Sequence, residues 1–154
     1  MEKTFDYTAL YEKVSRSLSI IGKRSTDDNG NRLFEDITLG SREKGIISDY
    51  FRQAVIDIAA EMEAFVTGET DTAITITLPS NHNEALNTFI GNSCDEYCVS
   101  YALYSWFTVT APRLSEKYLG DMKRQLSAVV RLIHQKNAPK NTTSNPLDIS
   151  TSVS

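Results

Sequence analysis

Two cysteines and two histidines are the residues of this chain best suited to metal binding or covalent chemistry. Cys94 and Cys98 lie four positions apart in a predicted helix, and the histidines are His82 and His134. A structural zinc site needs four ligands, usually supplied as closely spaced pairs, and the sequence has no such pairs. Helical geometry sets the two cysteine side chains alongside rather than towards each other, which disfavours a disulfide. We therefore expect free, buried thiols, no metal and a reducing compartment.

Residues 25–36 come close to the pattern of a calcium-binding loop. Asp27, Asn29 and Asp36 fall at ligand positions and Gly30 falls at the turn. The segment lacks the opening carboxylate and the closing bidentate glutamate of such loops. A polar turn is therefore the better interpretation.

The sequence contains no motif for nucleophilic, nucleotide-dependent or metal-dependent catalysis. A nucleophile elbow, a phosphate-binding glycine loop, a dinucleotide fingerprint and a zinc-protease helix motif are all missing. Asp57, Glu61 and Glu63 could pair as carboxylates, but they fall on the polar back of a predicted helix, which is typical of a solvated acidic face. We predict no catalytic residue, no cofactor and no enzymatic activity.

Positive charge is concentrated near the C-terminal end of the chain. Residues 1–111 contain 9 Lys and Arg against 17 Asp and Glu, whereas residues 112–140 contain 7 against 2. A basic helix on an acidic body suits contact between the acidic face of one copy and the basic face of the next. Contact with DNA phosphates and a plain solvated face are the alternatives. The interface candidates in the basic segment are Arg113, Lys117, Lys123, Arg124 and Arg131.

Hydrophobic periodicity predicts a mainly α protein, an up-and-down bundle of about four helices. The predicted helices span residues 6–21, 41–66, 80–107 and 112–136. Asp6 is the predicted N-cap of the first helix, and Pro112 suits the first turn of the last one. A long loop, 22–42, joins the first two helices and is either functional or a solvated cover over the core.

A short β element is predicted around residues 73–78. Ile74, Ile76 and Leu78 alternate with threonines, which is the period of a strand. Residues 32–39 are the expected pairing partner within the chain. If they do not pair, the strand edge is open to a neighbouring subunit, which makes the three apolar residues interface candidates.

Tyrosines recur along one face of the third predicted helix. Tyr97, Tyr101 and Tyr104 combine an apolar ring with a polar tip. This composition suits a core edge or a subunit interface, and less well a platform for nucleobases.

The sequence divides into a helical domain, residues 1–137, and a polar extended tail, residues 138–154. The tail is rich in Pro, Asn, Thr and Ser, a composition that cannot form a core of its own. We expect it to become ordered only on a partner. Its two larger apolar residues, Leu147 and Ile149, are the interface candidates there.

The layout of these segments resembles that of the small head–tail connector (adaptor) proteins of tailed bacteriophages, which form a ring beneath the portal. The resemblance is carried by the amphipathic segments 47–66, 97–107 and 114–133 and by the short strand 73–79. It implies a structural virion protein that forms a homo-oligomeric ring, about twelve-fold, around the DNA channel. The portal and tail proteins would be its other partners, with possible non-specific DNA contact.

A second interpretation is a cytoplasmic helical interaction or regulatory domain whose tail binds a partner. The sequence shows no secretory signal and no apolar run of the roughly 18 residues that a membrane span needs. We therefore expect no membrane association, and location either in a virion assembled in host cytoplasm or in the cytoplasm itself.

Overall fold

The computed structural model describes residues 1–24, 41–78 and 83–135, although not the side chains of residues 22–24 and 41. In these ranges the chain is mainly helical, as predicted, with a small antiparallel sheet. The elements are β1 (Glu2–Asp6), α1 (Tyr7–Arg24), α2 (Ser41–Glu61), β2 (Phe65–Glu69), β3 (Ala73–Thr77), a 3₁₀ turn (Glu84–Leu86), α3 (Asn87–Thr110) and α4 (Pro112–His134). The loop prediction within 25–40, the calcium-like segment and the tail all lie outside the described residues.

Helix α1 begins where its sequence predicts. The Asp6 carboxylate accepts hydrogen bonds from the backbone N–H groups of Thr8 (2.8 Å) and Ala9 (3.2 Å), which satisfies two donors that the first turn leaves unpaired. Val14 and Leu18 are fully buried on the inward face. The predicted cap and apolar stripe are therefore confirmed.

Helix α2 is shorter than predicted, because its backbone leaves the helix at a Schellman motif. Glu63 has a φ of 55°, in the left-handed region that usually takes glycine. The N–H of Ala64 donates to the carbonyl of Ala59 (2.9 Å) and the N–H of Glu63 to that of Ala60 (3.4 Å). The predicted continuation to Val66 is wrong, since the chain reverses here into β2.

Strand β3 occupies the centre of the sheet, in the order β1-β3-β2. Its partners are β1, with Phe5 opposite Ile74, and β2, with Val66 opposite Ile76. The expected pairing with residues 32–39 is therefore corrected, since both edges of β3 are taken by other strands of the same chain. Residues 32–39 themselves lie outside the described ranges.

The sheet packs on the helices with one face and leaves the other open. Phe5, Ile74 and Ile76 are at most 1% exposed on the helix side. The opposite face is threonine-rich, and Thr4 and Thr75 on neighbouring strands share a hydrogen bond of 2.9 Å between their Oγ1 atoms. Phe65, placed opposite Thr77 on this open face, is 74% exposed.

Helix α3 lies at the centre of the fold. It packs along α4 on one side and against α2 and α1 on the other. Ten of its residues are buried, and they occur on all sides of the helix: Ile90, Gly91, Cys94, Tyr97, Cys98, Val99, Ser100, Ala102, Leu103 and Phe107. Helix α4 covers it with an apolar stripe that includes the buried Tyr118, Val129 and Ile133. The polar side of α4 consequently faces outward.

Replacing Glu63 by glycine is expected to raise the free energy of unfolding by about 0.5–1 kcal/mol. The left-handed conformation costs an L-residue roughly 1–2 kcal/mol, and part of that gain is lost to the greater backbone entropy of glycine in the unfolded chain. Urea denaturation measures the change. Glu61→Gly, two residues earlier within α2, is the control and should lose about 0.5–1 kcal/mol. An equal loss in both variants would contradict the Schellman assignment.

Candidate interaction surface

The two cysteines are buried in α3 and are not nucleophiles. Both are free thiols, and Cys98 is fully buried. Burial raises the pKa of Cys94 to about 12 and raises that of Cys98 well above its ordinary value. Only a thiolate attacks or binds a metal, so these side chains act as small apolar groups. Among the described residues no group of three or more His, Cys, Asp and Glu could hold a metal ion, and His82 lies outside them.

A cavity of about 150 Å³ lies between the start of α1, the first half of α2 and the β2–β3 turn. Tyr7, Ser48 and Asp71 line it, as does Lys44, whose Nζ is 5.1 Å from the centre of the Tyr11 ring. No sequence motif signalled this cavity. Its groups come from three separate segments, and the sequence alone gives no reason to bring them together.

Tyr7 has the only buried side-chain polar atom without a hydrogen-bond partner in the described part of the chain. The hydroxyl is closed to solvent, so it does not open into the cavity that the rest of the side chain lines. Burial is the main cause of its raised pKa, with the Glu69 charge second. Arg52 and Glu69 form an ion pair between α2 and β2, and the hydrogen bond from Arg52 lowers the pKa of Glu69. We therefore assign Tyr7 to the packing of the core.

Four of the predicted basic candidates form one line on the outer face of α4. Arg113, Lys117, Arg124 and Arg131 are all exposed and follow one another at intervals of four, seven and seven residues. At 100° and 1.5 Å per residue they fall within about 40° of rotation and extend along about 27 Å. We call these four residues the cationic line. Lys123 is exposed as well, but it lies about 100° around the helix from Arg124 and does not belong to the line.

The cationic line is only lightly neutralised within the described residues. Arg124 pairs with Asp121 one turn away, and both are side chains of α4. The Nζ of Lys117 is 5.4 Å from the centre of the Tyr118 ring. Arg113 and Arg131 form no ion pair with any residue of the described ranges. An exposed pair such as Arg124–Asp121 is worth little, so most of the positive charge of the line is available to a partner.

A shallow hollow lies between two arginines of the line. It has a volume of about 410 Å³ and is lined by Arg124, Ser127, Ala128 and Arg131. Ser127 and Ala128 are small, which leaves room between the longer arginine side chains. The hollow is therefore a place where a side chain from another molecule can approach α4 between two cations.

The predicted tyrosine face belongs to α3, and carboxylates of α2 influence two of its tyrosines. The Tyr97 ring, which is 4% exposed, lies 6.0 Å from the ring of the half-buried Tyr101. Burial raises the pKa of Tyr97 to about 12, and the charges of Asp57 and Glu61 add to this effect. Burial also raises the pKa of Tyr101, with the Asp57 charge second. The negative charges of α2 therefore contribute to the raised pKa values of the tyrosines of α3.

The remaining interface candidates are not on this surface. Ile74, Ile76 and Leu78 are at most 3% exposed and belong to the core, so their assignment as interface residues is corrected. The physical reason is that alternate side chains along this segment lie on the face of the sheet that the helices cover, while both edges of β3 are paired within the chain. Leu147 and Ile149 lie outside the described residues.

Replacing Tyr7 by phenylalanine is expected to raise the free energy of unfolding by about 1 kcal/mol. The variant keeps the ring, whose centre is 6.1 Å from that of Phe51, and removes a buried hydroxyl that makes no hydrogen bond. Tyr97→Phe is the control and should change stability by less than about 0.5 kcal/mol. Thermal and urea unfolding measure both. A loss of stability in Tyr7→Phe would show that the hydroxyl has a partner.

In the described ranges, no helix is long and apolar enough to cross a membrane. No protein-family model matches the sequence, and no curated protein and no solved structure matches it either.

Proposed function

We propose that this protein is a structural subunit that works by binding copies of itself and neighbouring proteins, as in the head–tail connector ring of a tailed bacteriophage. The observation that carries the proposal is the cationic line of α4, which is exposed along about 27 Å. The resemblance of the sequence layout to phage connector proteins supplies the particular assembly and its location in a virion assembled in host cytoplasm. In that setting the chain has a scaffolding role and carries out no reaction.

The charge distribution supports an assembly role. Residues 1–111 carry a net charge of −8, from 9 Lys and Arg against 17 Asp and Glu, while residues 112–140 carry +5, from 7 against 2. A subunit divided in this way attracts a second copy when the basic end of one meets the acidic body of another. Such contacts are heterologous and form closed rings when the rotation between subunits permits.

The edges of strand β3 do not support the assembly proposal. Strand β3 is paired on both sides within the chain, so it offers no edge to a neighbouring subunit. Assembly therefore depends on α4 and on the division of charge along the chain.

The second candidate function is a helical interaction domain that binds a different protein and stays monomeric. The open face of the sheet favours it, because Phe65 is 74% exposed there and Val66, at the same edge strand, is 45% exposed. A large exposed apolar side chain on an edge strand is a feature that proteins usually cover. The mass of the protein in solution separates the two candidates.

We expect the purified protein to self-associate, and more strongly at about 0.01 M than at about 0.15 M salt, because ions screen exposed charges. The double variant Arg124→Glu, Arg131→Glu should weaken association at least tenfold. The matched control is Arg16→Glu, Lys123→Glu, which makes the same change in net charge at exposed positions off the cationic line. Sedimentation velocity over a range of concentrations measures all three.

A wild-type protein that stays monomeric at both salt concentrations would contradict the assembly proposal. Equal weakening in the two double variants would show that net charge, rather than the cationic line, controls association.

A further inference from the structure

Strand β2 forms one edge of the sheet, and β3 is the strand that pairs with it among the described residues. All five of its residues are exposed. An edge strand presents a row of backbone N–H and C=O groups to which a further strand can pair. The other edge strand, β1, is less open, because Phe5 is buried and Lys3 forms an ion pair with Asp95 of α3 (3.0 Å). Strand β2 is therefore the edge at which the sheet can be extended.

The two sides of β2 differ in chemistry. Val66 stands opposite the buried Ile76, which places it on the helix side of the sheet, yet it is 45% exposed. Thr67 lies on the open side, since its Oγ1 is 3.0 Å from that of Thr77. A strand that pairs with β2 would therefore place one set of side chains beside an aliphatic residue and the other set beside threonines.

The C-terminal tail contains a segment with this same alternation, although it lies outside the described residues. Residues 147–153 read Leu-Asp-Ile-Ser-Thr-Ser-Val, with an aliphatic or β-branched residue at each odd position and a small polar residue at each even one. This is the period of a strand with one apolar face. Strand β3, Ala-Ile-Thr-Ile-Thr, has a similar combination of aliphatic and hydroxyl side chains. Proline, which lacks an N–H donor, precedes the segment at position 146 and does not interrupt it.

The position of the tail favours a neighbouring copy over the same copy as the owner of the β2 edge. Eleven residues, 136–146, separate the last described residue from the alternating segment, and they span up to about 36 Å when extended. A copy that binds along α4 would lie next to the first residues of the tail. In the same chain, β2 contacts α2, whereas α4 packs along α3. The tail would have to pass around α3 to reach its own β2.

We propose that residues 147–153 of one copy add as a strand to the β2 edge of a neighbouring copy. The apolar side chains of the segment lie on the side of Val66, and its serines extend the threonine-rich face of the sheet. Because the tail and the edge are different parts of one chain, each copy both donates and receives a strand, and the contact is heterologous. This inference rests on the proposed function, since it names a second contact in the self-assembly.

The tail is a better occupant of β2 than an unrelated protein. Every copy of the chain carries the segment, and once two copies associate through α4 the linker keeps it close to its partner, which raises its effective concentration. Charge acts in the same direction. The linker contains Lys136 and Lys140, whereas residues 1–111 carry a net charge of −8, from 9 Lys and Arg against 17 Asp and Glu.

Paired lysine variants of the full chain test both halves of the contact. Val66→Lys and Ile149→Lys should each weaken association about tenfold, because each places a charge on the apolar side of the added strand. The matched controls are Thr67→Lys and Ser150→Lys, which add the same charge one residue further, on the open side. Both controls should associate like the wild type in sedimentation velocity.

Hydrogen exchange followed by mass spectrometry locates the contact. In the wild type, the amides of β2 and of residues 147–153 should gain protection together as the protein concentration rises. Ile149→Lys, which changes no residue of the described fold, should lose this protection in both segments. Circular dichroism establishes that every variant keeps its helices.

The possible results separate this inference from the proposed function. If the wild type associates but Val66→Lys and Ile149→Lys associate equally well, the strand contact is wrong while the assembly proposal stands. Protection that is the same at all concentrations in a monomer would show that the tail pairs within its own chain, and protection of β2 that survives Ile149→Lys would show another occupant. Either result overturns the inference. A wild type that is monomeric at both salt concentrations removes the assembly proposal as well.

Discussion

Helix α3 has to be covered on every side, and this requirement determines where the other helices go. An apolar helix with buried residues around its whole circumference is stable only in the interior of a fold. Helix α4 covers one side along most of its length, and α2 and α1 cover the other. The free energy comes chiefly from apolar surface removed from water, at about 25 cal/mol per Å². The outward position of the cationic line on α4 is a consequence of this arrangement.

The helices that pack on the two sides of α3 carry opposite charges on their exposed faces. Helix α4 turns its apolar stripe inward and leaves its lysines and arginines outside, namely Arg113, Lys117, Lys123, Arg124 and Arg131. Helix α2 leaves carboxylates at its surface, among them the exposed Glu61 and the half-buried Asp57. Because α3 itself supplies no cation, these carboxylates stay uncompensated within the described residues. The exposed positive charge of α4 and the carboxylates of α2 thus lie on different helices that pack on α3.

The helices were predictable because each carries its own local signal, whereas the sheet depended on pairing between distant segments. Asp6 and Pro112 mark helix starts that the structure confirms. In strand β1 the inward-facing residues are Lys3 and Phe5, and only Phe5 is apolar. One apolar residue is too little alternation to identify a strand from sequence. Phe65 and Val66 continue the helical spacing of α2 in the sequence. The helix nevertheless ends before them, because Glu63 adopts the left-handed conformation. A glutamate gives no sequence signal for that conformation.

The candidate surfaces were predictable in part. Four of the five basic candidates fall on one line because helical rotation follows directly from residue spacing, and Lys123 is excluded by the same geometry. The apolar candidates of β3 could not be judged from sequence, since the partners of a strand decide whether it lies at an edge. The influence of the Asp57 charge on the pKa of Tyr97 depends on how α2 packs on α3, which no local pattern contains.

Zero-length cross-linking between isotopically light and heavy copies tests the central claim, that the cationic line binds another copy. A carbodiimide joins a lysine amine to a carboxylate only where the two are in contact. Cross-links between copies are expected to join Lys117 to a carboxylate within residues 1–111 of another copy. Cross-links between copies that join α4 only to α4, or none between copies at all, would contradict it.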